Sequence, residues 1–321
     1  MNLPLVTIAI PAYKAEFLDV AITSAINQTY KNLEILIVDD SSTNTIKNIV
    51  DKFKDNRIIY YKNKINLGKE DPAKNWNKCL EYSNGDFFSL LCDDDYYEST
   101  FIEELINLSQ KYPKVNVFRS RVKIVDENDN IINYYPSIPE WESCFDNIWH
   151  MVNDYRCQTI SEFLYRKKIL LEHKGFSHYP KAWCADRISV YKFSQTEGIV
   201  SSNKILIGFR MSGINISSLN NQNIKEKVQA QILCSNDIKK IVQQCNDKQF
   251  VNIIIQNRKK QEDLILTGYI ADTKIKDFFF LWKQRTSDEY QIKLKIFIKA
   301  LYKKITKLNN RIYNISVRNN N

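Results

Sequence analysis

The chain has 321 residues, of which 44% are hydrophobic and 26% are charged, as in ordinary globular proteins with a buried core. It has only 7 glycines and contains neither a Gly-x-Gly-x-x-Gly motif nor a P-loop, which argues against a Rossmann dinucleotide site and against a P-loop phosphate site. The absence of His-Glu-x-x-His excludes a zincin. The 7 cysteines form no Cys-x-x-Cys pair, so we expect a reducing, cytoplasmic location without a disulfide framework. The sequence shows no signal peptide, and no apolar run reaches the length of a membrane span.

The net charge of +9 is concentrated at one end of the chain. Residues 290–321 contain eight basic side chains and no acidic one, whereas the rest of the chain is nearly neutral. A basic groove for nucleic acid would be spread through the folded domain. The charge distribution therefore predicts that nucleic acid is not a partner.

Strand and helix signals alternate through the first half of the chain. We predict strands over residues 5–10, 33–38, 57–61, 87–91 and 199–209, and helices over residues 17–29, 46–53, 71–82 and 185–195. A further helix begins after Thr100, where Thr100 and Glu103 form a capping-box pattern. Continuous apolar strands separated by helices predict an α/β fold with a doubly wound, mostly parallel sheet and helices on both faces. An Asn-rich segment at residues 219–223 predicts a boundary between a domain over 1–218 and a helical region over 219–321.

Two acidic clusters follow predicted strands, Asp39-Asp40 and Asp93-Asp94-Asp95. In such sheets, ligands bind beyond the carboxyl ends of the strands. Three adjacent carboxylates repel one another unless a cation compensates them, and carboxylate oxygens suit Mg²⁺ or Mn²⁺. A solvated turn that caps the next helix is the alternative for both clusters.

Five segments occur in a recognisable order: residues 6–13, 26–42, 66–68, 75–77 and 85–95. With these segments the chain resembles family 2 glycosyltransferases of the GT-A fold, continuously over residues 5–97 and intermittently to about 217. The resemblance implies a nucleotide half at about 1–97 and an acceptor half at about 98–218.

The resemblance also implies roles for individual residues. The positions that match the nucleotide side of the donor site are Pro11, Ala12, Tyr13, Asp39, Asp40, Asn66, Lys69 and Asn75. The acidic triplet overlies the family's Asp-x-Asp motif, with Cys92 at its first position. Asp94 and Asp95 are then the expected ligands of Mn²⁺ or Mg²⁺, and Asp93 is the expected contact of the ribose.

Two downstream segments extend the resemblance. Residues 184–186 resemble the family's Glu-Asp segment, which implies that Asp186 is the catalytic base that takes a proton from the acceptor hydroxyl. The alternative is that Asp186 only caps its helix. Residues 209–217 resemble Tyr-Arg-x-His-x-x-Asn-x-Ser, so Arg210 would neutralise the leaving diphosphate, while Ser212 replaces the histidine.

The C-terminal segment has a heptad-like apolar stripe. Its members follow one another at spacings of four and three residues: Leu294, Ile298, Leu301, Ile305, Leu308, Ile312 and Ile315. The pattern predicts a basic amphipathic helix at about 290–317. We favour a membrane surface as its partner, ahead of packing on the protein's own body and ahead of a coiled coil. The basic residues beside the stripe have no acidic partners within the segment, so a coiled-coil homodimer would bring like charges together, whereas anionic lipid would not: Lys295, Lys304, Arg311 and Arg318.

The sequence therefore predicts an inverting, metal-dependent glycosyltransferase. It would move a sugar from a nucleotide-diphosphate donor, expected to be a UDP-sugar, to a hydroxyl of a growing cell-surface glycan. A lipid-linked acceptor is expected if the tail binds the inner face of the plasma membrane. The sequence does not decide whether the chain forms an oligomer. The alternatives are a catalytically silent glycan- or membrane-binding module and a sugar-phosphate nucleotidyltransferase. The loop after Pro11 lacks the glycines of the latter.

Overall fold

The computed structural model describes residues 3–211, 213, 223–287 and 290–318, with side chains in the last helix described as far as residue 307. The chain divides into two compact units, Met1–Ser218 (unit 1) and Leu219–Asn321 (unit 2), and each is described by itself. Among the described residues, no helix combines the length and the apolar character that crossing a membrane requires.

Unit 1 alternates strands and helices through its first half and adds short strands in its second. Its strands are β1 (Val6–Ala12), β2 (Leu33–Asp39), β3 (Ile58–Lys62), β4 (Phe87–Leu90), β5 (Tyr96–Tyr97), β6 (Val117–Val125), β7 (Ile131–Tyr134), β8 (Trp141–Glu142), β9 (Phe163–Arg166) and β10 (Ile199–Arg210). Its helices are α1 (Leu18–Ile26), α2 (Thr45–Val50), α3 (Ala73–Tyr82), α4 (Phe101–Lys111), α5 (Cys144–Val152), α6 (Lys167–Glu172) and α7 (Ala185–Phe193). Short 3-10 helices lie at Ile160–Glu162 and Pro180–Ala182.

Within the described residues these ten strands form one mixed sheet, in the order β3-β2-β1-β4-β9-β6-β10-β5, with β7 beside β6 and β8 beside β10. Strands β3, β2, β1 and β4 are parallel to their neighbours. Strand β9 then runs antiparallel to both β4 and β6, and β6 is parallel to β10. Because parallel neighbours end at the same edge of a sheet, the segments that follow β1, β2 and β4 come together at one edge.

Helices cover both faces of the sheet, which explains the continuous apolar runs of the first strands. Side chains alternate along a strand, so Ile8 and Ile10 join a core with α1, α2 and α4. Ala9 and Leu36 join the opposite core with α3, α6 and α7. Strands buried on both faces need no polar alternation. The predicted doubly wound α/β arrangement is confirmed.

Two features of unit 1 differ from the sequence-based expectation. Parallel pairing holds for β1 to β4 and for β6 with β10, whereas the strands β5, β7, β8 and β9 pair antiparallel. The capping box predicted before α4 is wrong, because the Thr100 side chain makes no cap hydrogen bond. Glu103 instead accepts a hydrogen bond from Thr29 Oγ1 at 2.8 Å, a contact between distant segments.

Unit 2 is helical, as predicted. Its described helices are α8 (Ile224–Val242), α9 (Lys248–Asp272), α10 (Ile275–Gln284) and α11 (Leu294–Arg318). Asp247 caps α9 by accepting hydrogen bonds from the backbone N–H groups of Gln249 and Phe250, both at 3.0 Å. Each helix contributes to one core, for example with Val228, Ile270, Leu281 and Phe297. Most of the predicted boundary segment, residues 219–222, lies outside the described residues.

Helix α11 packs through a face other than the predicted stripe. Ile296, Phe297 and Ala300 are buried in the core of unit 2. The first four members of the stripe are exposed instead: Leu294 by 51%, Ile298 by 61%, Leu301 by 46% and Ile305 by 49%. These four side chains therefore do not hold α11 to the rest of unit 2, and the last three members lie outside the described side chains.

Candidate active site

Three loops meet at the edge of the sheet where β1, β2 and β4 end. The register pairs Ala12 with Asp39 across β1 and β2. From the end of β4, Asp93 Oδ2 accepts hydrogen bonds from the backbone N–H groups of Tyr13 at 2.7 Å and Lys14 at 2.6 Å. The two acidic clusters and the end of the first strand, which the sequence predicts to form one site, lie together.

Asp39 is fully buried at the end of β2. Its Oδ1 accepts a hydrogen bond from Ser41 N at 2.8 Å, and its Oδ2 accepts one from the Tyr60 hydroxyl at 2.6 Å. Burial, and then the Asp39 carboxylate, raises the pKa of Tyr60, which therefore stays a donor. Beside Asp39, Pro11 is half-buried and the Tyr13 ring is 57% exposed. Contact of these residues with a nucleotide base stays a prediction.

Asp40 organises the next loop of the nucleotide side. Its Oδ1 accepts hydrogen bonds from Asn63 Nδ2 and Leu67 N, both at 2.8 Å, and its Oδ2 accepts one from Gly68 N at 2.7 Å. The same Asn63 amide donates to Asn75 Oδ1 at 2.9 Å. Asp40 and Asn75 therefore hold the shape of the loop.

Asn66 and Lys69 lie on the loop that Asp40 holds. Asn66 Oδ1 is buried and accepts no hydrogen bond from any described residue, whereas Lys69 is exposed. A buried acceptor without a partner is uncommon and is often satisfied by a ligand or by water. Both residues stay candidates for the nucleotide side.

The three carboxylates after β4 are nearly completely buried. Lys14 Nζ lies 2.7 Å from Asp94 Oδ2. Asp95 accepts hydrogen bonds at both oxygens, from the Ser161 hydroxyl at 2.6 Å and from Arg210 N at 3.0 Å. Burial, followed by repulsion from Asp94, raises the pKa of Asp93 and of Asp95. The cluster therefore carries negative charge that the protein compensates only in part.

The chemistry of this cluster fits a hard divalent cation. Cys92, Asp94 and Asp95 each offer one ligand atom, and these atoms lie within 4.8 Å of one another. Burial raises the pKa of the Cys92 thiol, so the thiol stays protonated and is a poor ligand. Carboxylate oxygens are the ligands that Mg²⁺ and Mn²⁺ prefer. Asp94 and Asp95, the two predicted ligands, are therefore the residues suited to hold the ion.

The Arg210 side chain is held by several contacts within unit 1. Its guanidinium is fully buried and lies over the Phe17 ring, with 4.2 Å to the centroid. Its Nε donates to Asp94 O at 3.1 Å, and its terminal nitrogens donate to Asp126 O and Asp129 Oδ1 at 3.0 and 2.7 Å. Through the hydrogen bond to Asp94 O, Arg210 holds the backbone of the acidic cluster. The expected contact of Arg210 with the leaving diphosphate stays a prediction, and Ser212 lies outside the described residues.

Asp186 lies in the first turn of α7, half-buried. Its Oδ2 accepts a hydrogen bond from Gln158 Nε2 at 3.1 Å. Burial raises the pKa of Asp186, and the adjacent Arg187 opposes that shift. The residue before the helix, Cys184, has a φ of 74°, in the left-handed region. Strained backbone of this kind is often found beside functional groups. A catalytic role for Asp186 stays a prediction.

Sequence reasoning missed three side chains that contact the candidate groups: Lys14, Gln158 and Ser161. Lys14 follows directly after a motif residue, so its proximity to the site was available from the sequence. Gln158 and Ser161 lie 28 residues before Asp186 and 66 residues after Asp95. No local pattern marks such distant partners.

Comparison with known proteins agrees with the fold. The model of the family described as glycosyl transferase family 2 matches residues 7–176, which is more than half of the chain. An uncharacterized glycosyltransferase of Haemophilus influenzae is 28% identical over 236 residues, covering 70% of this chain and 71% of that protein. The Escherichia coli protein named UDP-Glc:alpha-D-GlcNAc-diphosphoundecaprenol beta-1,3-glucosyltransferase WfaP is 36% identical over 138 residues, which are 42% of this chain and 53% of WfaP.

Two solved structures share the fold. The structure of S. aureus TarS in complex with UDP-GlcNAc superposes with a TM-score of 0.64 at 14% identity, covering 95% of this chain and 92% of that chain. The mannosyltransferase PcManGT from Pyrobaculum calidifontis, in complex with GDP-Man and Mn²⁺, superposes with a TM-score of 0.53 at 13% identity, covering 95% and 88%. The GT-A fold is thereby confirmed, and the chain belongs to glycosyl transferase family 2.

Proposed function

We propose that the chain is an inverting, metal-dependent glycosyltransferase that moves a sugar from a UDP-sugar to a hydroxyl of a lipid-linked glycan. The observation that carries this proposal is the cluster of nearly buried carboxylates at residues 93–95, which lies against the nucleotide-side loops and has the ligand chemistry of a divalent cation. A surface turn would leave such carboxylates in water, where their repulsion is weak.

The donor assignment rests on the nucleotide side of the site and on the relatives. Asp39 pairs with Ala12 at the end of β1, and the next residue, Tyr13, exposes its ring and donates its backbone N–H to Asp93 of the acidic cluster. TarS has been crystallised with UDP-GlcNAc, and the name of WfaP gives UDP-Glc as its donor and a diphosphoundecaprenol-linked sugar as its acceptor. A UDP-hexose and a diphosphoundecaprenol-linked acceptor are therefore the first substrates to test.

The acidic cluster would hold the cation together with the donor diphosphate. Asp94 and Asp95 are the proposed ligands of Mn²⁺ or Mg²⁺. The bound ion would stabilise the negative charge that develops on the leaving diphosphate. Arg210 would keep the backbone of Asp94 in place, through its 3.1 Å hydrogen bond to the Asp94 carbonyl oxygen.

Asp186 would act as the general base. The acceptor hydroxyl oxygen bonds to the anomeric carbon, the bond from that carbon to the diphosphate oxygen breaks, and the hydroxyl proton passes to the Asp186 carboxylate. This single displacement inverts the anomeric configuration. Burial raises the pKa of Asp186 towards the working pH, which makes the ionised carboxylate a better proton acceptor.

The test of this proposal is sugar transfer followed by NMR of the product. We expect transfer with Mn²⁺ or Mg²⁺, an inverted anomeric configuration and loss of activity in EDTA. Asp186→Asn should lower kcat by about a thousandfold, the usual contribution of a general base. Glu172→Gln, at an exposed carboxylate, is the matched control and should keep full activity. Retention of configuration, or an Asp186→Asn enzyme with wild-type kcat, would contradict the proposal.

Membrane binding through α11 is the second part of the proposal. The exposed residues Ile298 and Leu301 do not belong to the core contacts of α11, and Lys299 and Lys303 of the same helix are also exposed. Such a basic amphipathic face suits the boundary of an anionic bilayer. Some of the charge is already used inside unit 2, because Lys295 lies 2.5 Å from Asp263. The apolar face therefore has to supply much of the binding.

Vesicle co-sedimentation tests the membrane proposal. The wild-type chain should sediment with anionic phosphatidylglycerol vesicles and less with neutral phosphatidylcholine vesicles. The double variant Ile298→Asn/Leu301→Asn should stay in the supernatant. The matched control, Ile131→Asn/Ile132→Asn, removes two exposed isoleucines of unit 1 and should sediment like wild type. Equal sedimentation of both double variants would refute the membrane proposal.

A further inference from the structure

One short segment contacts both groups to which the proposed function assigns chemistry. We call residues 158–162 the strap. At one end, Gln158 Nε2 donates to Asp186 Oδ2 at 3.1 Å. At the other end, the Ser161 hydroxyl donates to Asp95 Oδ2 at 2.6 Å and accepts a hydrogen bond from the backbone N–H of Cys92 at 3.1 Å. The candidate base and the acidic cluster are therefore connected through four residues of one chain segment.

The strap is itself firmly held. It forms a capping box in which Thr159 N donates to Glu162 Oε2 at 3.2 Å, followed by the 3-10 helix Ile160–Glu162. The fully buried guanidinium of Arg119 lies 3.6 Å from Glu162 Oε1. The chain then enters β9, which pairs with both β4 and β6 in the middle of the sheet. A segment fixed in this way can set the distance between the groups at its two ends.

Only one of the two polar atoms of the Gln158 side-chain amide has a hydrogen-bond partner among the described residues. Its Nε2 bonds to Asp186, whereas its Oε1 is buried and accepts no hydrogen bond from any described residue. Burying an acceptor without a partner costs free energy. An apolar side chain of the same length would avoid that cost, so the contact with the carboxylate is the interaction that favours glutamine here.

We propose that Gln158 is a positioning residue for the transfer reaction: its amide aims the Asp186 carboxylate and, through the strap, fixes it relative to the acidic cluster that holds the donor. The inference rests on the proposed function, because it takes Asp186 as the base. Gln158 does not touch the reacting atoms and acts through Asp186.

The proposal predicts how the pH dependence of activity changes when the hydrogen bond from Gln158 to Asp186 is removed. An N–H donor stabilises the ionised carboxylate, so loss of the donor raises the pKa of Asp186 and more of the base is protonated in acid. The other ionisable groups that face Asp186 are Arg187, Glu162, Tyr135 and Tyr165. Burial raises the pKa of Glu162 to about 8, and the neighbouring Arg119 opposes that shift.

The experiment is a pH profile of kcat/KM at saturating Mn²⁺ for wild type, Gln158→Met and Gln158→Glu. Methionine keeps the length without the donor, and glutamate replaces the donor with a carboxyl group. We expect the acidic limb to move up by about one pH unit in Gln158→Met, and at least as far in Gln158→Glu. Gln195→Met, at another half-buried glutamine, should leave the limb unchanged. Mn²⁺ affinity, measured by electron paramagnetic resonance, should stay at the wild-type value in all three variants.

Three distinguishable outcomes would contradict either the positioning role of Gln158 or the proposed function. An unchanged acidic limb in both Gln158 variants, while Asp186→Asn is inactive, overturns the positioning role alone. Equal loss of activity at every pH, together with a lower melting temperature and weaker Mn²⁺ binding, would mean that Gln158 only stabilises the fold, and this also overturns the proposal. Wild-type activity of Asp186→Asn would instead overturn the proposed function on which the inference rests.

Discussion

The acidic cluster of unit 1 and the exposed stripe of α11 in unit 2 depart in opposite ways from the usual distribution of side chains. Unit 1 buries charge, since Asp94 and Asp95 are at most 6% exposed and the Arg119 and Arg210 side chains are fully buried. Unit 2 exposes apolar groups, with Ile298 exposed by 61%. Buried charges and exposed apolar faces are the informative exceptions in a folded protein. We take the first as the proposed site for a charged ligand and the second as the proposed surface for an apolar partner.

Within unit 1 the two acidic clusters also differ. The Asp40 carboxylate accepts three hydrogen bonds from N–H groups of the neighbouring loop. In the other cluster, burial and mutual repulsion raise the pKa of Asp93 and Asp95 although Lys14 lies beside Asp94. Adjacent carboxylates in a sequence therefore do not always have the same structural role. The first cluster is compensated by donors and shapes a loop, whereas the second retains charge that suits the proposed cation.

The largest effect on stability should come from breaking a buried charge network in unit 1. Arg119 pairs with Glu142 and lies 3.6 Å from Glu162 Oε1, and all three side chains are buried. Arg119→Met would leave buried carboxylates without their partner, so we expect the free energy of unfolding to fall by about 3–5 kcal/mol in urea titrations. Lys111→Met removes the exposed pair with Glu140 and should leave the free energy of unfolding nearly unchanged. Equal losses would show that burial does not set the value of these pairs.

The next effect separates the two faces of α11. Phe297 is 1% exposed and makes edge-on ring contacts with Phe278 and Trp282. Phe297→Ala should lower the free energy of unfolding by about 3 kcal/mol, because it leaves a cavity in the core of unit 2. The adjacent Ile298→Ala should change it by less than about 0.5 kcal/mol, as for an exposed surface position. A comparable loss for Ile298→Ala would mean that the stripe packs against protein and is not available to a membrane.

A smaller effect concerns Lys14, whose ammonium group competes with a divalent cation for Asp94. Lys14→Met should tighten the binding of Mn²⁺ without nucleotide by up to about fivefold, because the pair is partly exposed and worth about 1 kcal/mol at most. Lys78→Met, which removes a surface pair with Glu81, is the control. Electron paramagnetic resonance of free Mn²⁺ measures the change. Weaker binding in Lys14→Met than in the control would show that the lysine supports the cation and does not compete with it.

Much of the fold could be predicted because its signals are local. The apolar runs that became β1 and β2, and the acidic residues directly after β2 and β4, are readable within windows of a few residues. Parallel pairing of these strands then brings Asp39 and Asp93 to one edge without further information. The short antiparallel strands of the second half, β7 and β8, lack such runs because they lie at the margins of the sheet.

The rest depended on contacts between distant segments. Nothing near Arg210 in the sequence shows that Phe17, Asp126 and Asp129 surround its guanidinium. The same holds for Lys295, whose acidic partner Asp263 comes from α9 and not from its own segment. The sequence-based argument against a coiled coil assumed that these basic residues are unpaired, and the Lys295–Asp263 pair weakens that argument.

Helix α11 carries two sets of apolar side chains, the regular stripe and the set that packs in the core of unit 2. The regular stripe was the stronger pattern in the sequence, but the core contacts come from Ile296, Phe297 and Ala300. Periodicity identifies an amphipathic helix, whereas the identity of the buried face depends on which neighbouring helices have complementary surfaces.

The central claim is that the buried carboxylates of unit 1 hold a cation that in turn holds the donor nucleotide. Calorimetric titration of UDP into the 321-residue chain tests it most directly, with Mn²⁺, with EDTA and in an Asp94→Ala variant with Mn²⁺. The account predicts clear binding of UDP with Mn²⁺ and at least a tenfold loss of affinity in the other two samples, which corresponds to about 1.4 kcal/mol. Equal affinity for UDP in all three samples would contradict it.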